Sequence, residues 1–207
     1  MPTATEAEEH LRVIRSLMEK ATIYRAVSAP TALAGGIAAV IVASPPMQRL
    51  FDQWNPITSF HVRWLLALFV TLLINGLLIL REARRRGDPL VSPGMRAAFR
   101  ALLPPMLCGG IFFSVFGPQH VPAFLAIFYG LALLATAHFA PRSILWLGWG
   151  FLIAGLAEFA LSITDRIYEG VLPDVIMVAT FGGFHFLYAA CTWPRRAPSA
   201  AALSSTP

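Results

Sequence analysis

Charge is what this sequence has least of. Asp, Glu, Lys and Arg make up 13% of its 207 residues, about half the share usual in soluble domains, while 57% are hydrophobic. So little charge cannot cover a soluble surface of this size, which excludes an ordinary soluble globular fold. The short motifs of common catalytic sites are missing as well. There is no Walker loop, no dinucleotide fingerprint, no GxSxG, no CxxC and no HxxH or HExxH spacing. These absences weigh against an ATPase, a hydrolase or a thiol oxidoreductase, and the balance is against an enzyme. Cysteine is almost absent. Cys108 and Cys191 both fall in apolar stretches and read as small packing residues rather than a disulfide. A basic leader is missing too: Glu6, Glu8, Glu9 and Glu19 precede the first apolar run, so no secretory signal peptide is expected.

What the sequence does contain is six apolar runs, at 26–44, 64–80, 101–117, 121–140, 144–163 and 171–193. Each approaches the length that crosses a hydrocarbon core ~30 Å thick at ~1.5 Å per residue. The expected fold is therefore all-α. It is a polytopic membrane protein whose six transmembrane helices form three hairpins, with residues 26–193 as one membrane domain. Residues 194–207 form a flexible cytoplasmic tail. Of the sixteen Lys and Arg, only Arg49, Arg63 and Arg166 fall on one side of this threading and the other thirteen on the opposite side. The positive-inside bias then places both termini in the cytoplasm, in a cell (inner) membrane. Phe51, Trp54, Phe60 and Trp64 mark the outer interface, and Trp146, Trp149 and Trp193 the inner one. The net charge of +5 arises from these topology-setting arginines, so no nucleic acid is expected as a partner.

Residues 1–25 lead into the first run as a cytoplasmic amphipathic helix. Thr5 and Glu8 fit a capping box, and Ala7, Leu11, Ile14, Met18 and Ala21 make one apolar stripe. Glu8–Arg12 and Arg15–Glu19 are i,i+4 pairs on its flanks. A balanced charge suits packing on protein better than on anionic lipid, so Leu11, Ile14 and Met18 are candidate partner-binding residues. The expected partners are the bilayer and a protein, either a distinct subunit or a second copy of the chain.

Small residues recur at helix-packing spacing in the first run: Ser28, Ala32 and Gly36, and Gly35 with Ala39 and Ala43. The third run carries a similar pair, Gly109 and Gly110. The stretch Pro30–Ile37 matches Pro104–Ile111 at Pro, Leu, Gly, Gly and Ile, which hints at parallel repeats. The plainer reading has proline in the first helical turn and glycines that simply pack.

Polar groups at membrane depth are few. Glu158 lies about five residues, hence ~7 Å, from the outer end of the fifth run. Ala154, Gly155 and Ser162 share its face, so it should point into the bundle. There it needs a partner such as His120 or Arg166, or a functional role. His185 near the middle of the sixth run and His138 near the inner end of the fourth could together hold a haem by axial ligation. No cofactor is otherwise expected. Asn75 and Tyr129 complete the candidate polar interior. His61, His120, Asp165, Glu169 and Asp174 read as a solvated outer rim without metal-ligand spacing.

These residues lead to a non-enzymatic accessory, sensory or regulatory membrane subunit that acts through helix-mediated interaction. The competing reading is a small-solute or ion transporter with Glu158 as coupling group and His185 and Asn75 along the path. A haem-binding redox subunit is the third.

Overall fold

The computed structural model describes residues 8–10, 28–51, 53, 55–86, 93–137, 140–162 and 173–193. All regular structure among them is helical. Four segments are long and apolar enough to cross a membrane: Thr58–Arg85, Met95–Val115, Arg142–Ser162 and Pro173–Thr192. These mark the chain as a membrane protein. Of the expected amphipathic helix only Glu8–His10 is described, as helix; Leu11, Ile14 and Met18 lie outside the described residues, as does the tail.

Helix α1 (Ala29–Ala43) starts where the Ser28 Oγ accepts from the Thr31 N–H, with Pro30 in the first turn. It stops at Ser44, before the prolines that begin the short α2 (Pro45–Leu50). At 15 residues α1 reaches about 22 Å, short of the ~30 Å expected of a crossing helix. The same holds for α5 (Val121–Ala135). There Thr136 bends back onto Leu133, and the helix ends before the apolar run does. Conversely, α3 (Pro56–Arg86) runs for 31 residues, about 46 Å. It is followed by α4 (Pro93–Val115), α6 (Arg142–Ser162), α7 (Pro173–Met177), a π-helical turn (Val178–Gly182) and α8 (Gly183–Thr192). The arginines between the second and third apolar runs stand on helix. Arg81, Arg84, Arg85 and Arg86 belong to α3, and Arg96 and Arg100 to α4.

The closest pair is α5 with α6, and α4 packs on the other side of α5. On the opposite flank α1 lies between α3 and the π turn with α8, while α6 touches α8 only lightly. The last crossing segment thus returns to the first rather than pairing with its immediate predecessor. Glycine explains the α5–α6 contact. A Cβ on Gly155 would stand 2.7 Å from the Ile127 backbone N and 2.8 Å from the Ala123 O. One on Gly130 would meet the Leu152 N at 2.7 Å and the Gly148 O at 2.8 Å. Without side chains the two backbones touch. In a bilayer, where lipid is as apolar as leucine, that close dispersion contact is what drives association.

The core has two centres. Fully buried Phe151 anchors one, with Ala32, Ala126, Leu133, Ile144 and Tyr188. Phe60, Trp64, Val121 and Met177 form the other, nearer the start of α3. Large apolar side chains such as Leu65, Phe69, Leu72, Trp146 and Ile153 face outward, as befits a hydrocarbon solvent.

The matched glycines of the first and third runs do different work. Gly36 faces the Phe186 ring and Gly35 faces Thr71, while Gly109 meets Phe128 and Gly110 has open space within 4 Å. Pro104 and Pro105 stand inside α4, whereas Pro30 stands in a first turn. Cys108 and Cys191 are exposed rather than packed inside.

Candidate functional site

Along α1, the residues Thr31, Gly35, Ala39 and Val42 repeat at helical spacing and face α3. Arg63, Ala67, Thr71 and Asn75 repeat along α3 at four-residue intervals. Together with α7, the π turn and α8 they build a seam about 18 Å long from Arg63 to Asn75.

At one end, the Thr31 hydroxyl donates to the Asn75 Oδ1 at 3.1 Å, and the Ser28 and Thr31 hydroxyls are 3.0 Å apart. Asn75 is thus a helix-to-helix hydrogen-bond acceptor. Ser28 is the cap of α1, and Ala32, 1% exposed, lies in the core beside it.

The middle of the seam holds His185. Its Nδ1 lies 2.6 Å from the Phe181 carbonyl, and its Nε2 lies 3.2 Å from the Tyr129 hydroxyl. A carbonyl only accepts, so Nδ1 carries the hydrogen and the Tyr129 hydroxyl donates to Nε2. Phe181 belongs to the π turn, where the shifted backbone pattern disturbs the usual i to i−4 ladder. Thr180 donates to the Ile176 carbonyl at 2.8 Å in the same stretch. The rings of Phe151 and Phe181 wall the pair, with centroids 4.8 and 5.6 Å from Tyr129. Gly35 leaves room beside the imidazole, since a Cβ there would stand 3.7 Å from the His185 Cδ2. Both imidazole nitrogens are therefore engaged, and a haem iron would have to displace Tyr129 from Nε2. His138 lies outside the described residues. Tyr129→Phe is expected to destabilise the fold by about 0.6 kcal/mol, the typical worth of an interhelical hydrogen bond in membrane. Equilibrium unfolding in mixed micelles would measure it.

The far end was not legible as a site. Asp174, expected on a solvated rim, and Arg63, expected only as one of the outer positive charges, are buried at 9% and 5% exposure. Arg63 Nη2 donates to the Asp174 Oδ2 at 2.9 Å, and Nη1 to the Oδ1 at 3.2 Å and to the Val42 carbonyl at 2.7 Å. Trp64 Nε1 donates to the Asp174 Oδ1 at 2.8 Å, and Gln48 Nε2 to its Oδ2 at 3.3 Å. Helices α2 and α3 thus meet α7 at one carboxylate, and α1 joins them through Arg63. A sequence signal did exist: Asp174 lies within the run 171–193, and Arg63 directly abuts the run 64–80. Of the other rim residues, His61 Nε2 meets the Phe113 carbonyl at 2.7 Å and joins α3 to α4, while Asp165 and Glu169 lie outside the described residues. No group of three metal-ligating side chains occurs among the described residues.

Glu158 stands apart from the seam, on α6 one turn beyond Gly155. The α5–α6 register sets Gly148 against Gly130 and Gly155 against Ala123, so Glu158 falls level with His120. Yet both carboxyl oxygens are buried without a hydrogen-bond partner among the described residues, and Arg166 lies outside them. Ser162, on the same face, donates instead to the Phe159 carbonyl at 2.7 Å. The structure thus brings His185 together with Tyr129, and Asn75 with Thr31, but joins Glu158 to neither.

No protein-family model matches the chain, and neither a curated protein nor a solved structure matches it.

Proposed function

We propose that this protein is a six-span membrane protein with both termini cytoplasmic, and that it works by helix-mediated association as an accessory, sensory or regulatory subunit. In this reading α1 and α5 complete the six crossings, the bilayer thinning locally to meet their shorter length. The observation that carries the reading is the division of labour among the helices. The seam's hydrogen-bonding side chains pair with one another or with backbone and hold helices together. Helix α4 rests chiefly on α5 and leaves most of its length uncovered, including the open glycine Gly110. Gly155 demonstrates inside this fold what an uncovered glycine offers a second helix, which is approach to backbone contact. The stripe Leu11, Ile14 and Met18 adds a cytoplasmic contact. Deleting residues 1–22, or Gly110→Leu, should each reduce co-purification of a partner from native membranes while helicity is retained. Unchanged partners in both variants would refute the reading.

A second reading rests on Glu158 alone. An acidic side chain in mid-span costs roughly 2.5–3.5 kcal/mol on insertion scales, and no hydrogen bond from the described residues offsets it. Such a group suits proton or cation coupling. Glu158→Gln, which keeps the shape and removes the titrating group, should then abolish solute-driven proton flux in reconstituted vesicles. Wild-type flux in that variant would remove this reading.

A further inference from the structure

We infer that the basic end of α3 is a binding site for the anionic headgroup of a membrane phospholipid. Leu77, Leu80, Arg81, Arg84 and Arg85 line a shallow recess that is mostly open to its surroundings. At ~100° per residue, these five positions fall within an arc of about 140°, so they form one face rather than a collar. That matters, because orientation by the positive-inside bias requires only that arginines lie on one side of the membrane. It does not require them to share a face with leucines around a recess.

The level is right as well. Helix α3 reaches about 46 Å, well beyond a ~30 Å core, so its last turns stand among headgroups. Below the arginines the same helix presents Leu77, Leu73, Leu72 and Phe69 outward, a surface along which acyl chains can lie. Arg81, Arg84 and Arg85 are exposed. A guanidinium fork matches two phosphate oxygens, and three of them at i, i+3 and i+4 can surround one phosphodiester. Glu82, the one carboxylate in these turns, stands about 60° round the helix from Arg85, just outside the arc. A basic face above an apolar wall fits an amphiphile whose charge and chains are joined, rather than a free anion. The inference holds whichever side of the membrane this end occupies.

The test is native mass spectrometry of the full-length protein in micelles titrated with phosphatidylglycerol or phosphatidylcholine. Wild type should retain phosphatidylglycerol selectively. Arg84→Gln should weaken retention about fivefold, and Arg81→Gln/Arg84→Gln/Arg85→Gln should remove the selectivity. The triple variant still leaves ten positive residues against three, so the threading bias persists. The charge-preserving triple Arg→Lys should retain selectivity with reduced affinity, and it decides the matter together with Arg84→Gln if the glutamine triple does not fold. Equal retention of both lipids by wild type would overturn the inference. So would undiminished selectivity in the Arg84→Gln and triple glutamine variants, or an equal loss from Arg96→Gln/Arg100→Gln. Competition by water-soluble glycerol phosphate at lipid-like concentrations would overturn it too, by showing a site for free anions.

Discussion

Asp174→Ala is expected to destabilise the protein by about 3–5 kcal/mol, because it strands a buried guanidinium. The loss is not confined to one ion pair. Arg63 keeps its bond to the Val42 carbonyl, but two N–H groups lose the carboxylate, and the Trp64 Nε1 and Gln48 Nε2 lose an acceptor. Water cannot readily replace it where Arg63 is 5% exposed. The cost should therefore lie in the stranded charge rather than in missing attraction. Replacing both partners by apolar residues, Arg63→Met with Asp174→Leu, should recover most of the stability or exceed wild type. Equilibrium unfolding of the two singles and the double in mixed micelles closes the cycle. A cost below about 1 kcal/mol for Asp174→Ala would mean that the cluster is solvated in the bilayer-embedded protein, since exposed pairs are worth that little.

Gly155→Leu should be comparably damaging, for a steric reason. Overpacking usually costs about 1–3 kcal/mol because neighbouring side chains can shift. Here a Cβ alone would meet the Ile127 N at 2.7 Å and the Ala123 O at 2.8 Å, and both are backbone atoms. Relief requires α5 and α6 to separate, which opens the contact down to Gly130 and Gly148. We expect a loss at or above the top of that range, about 3 kcal/mol. Gly110→Leu is the matched control. Nothing lies within 4 Å of its Cβ, so its unfolding midpoint in detergent should change little. If the two substitutions cost the same, direct backbone contact is not what holds α5 to α6.

The two effects differ in how readable they were. Gly155 stands beside Glu158 on a face of small residues, and spacing alone marks that face as inward. Which helix it meets is not encoded locally, because small residues permit close approach to any partner. His185 and Tyr129 were legible as polar groups at depth. Their pairing was not, because they lie 56 positions apart and only the packing of α8 and α5 about Phe151 brings them together. The Arg63–Asp174 cluster went unread for the same reason in stronger form. Arg63 abuts an apolar run and Asp174 lies near the start of one, where a charge ordinarily reaches water, and the two are 111 positions apart. Only the return of α7 to α1 and α3 removes that water.

The helix lengths draw the line most clearly. Residue chemistry suffices for the presence of apolar helices and for their arginine-rich end, because the cost of burying charge in hydrocarbon acts on each segment separately. Local capping and turn bonds at Ser28, Ser44 and Thr136 end α1 and α5 early, while α3 continues beyond its apolar run. Which helices touch and which polar groups are satisfied depended on the assembled bundle. Those properties are set by close contact between distant segments, and contact is what a linear pattern of hydrophobicity does not record.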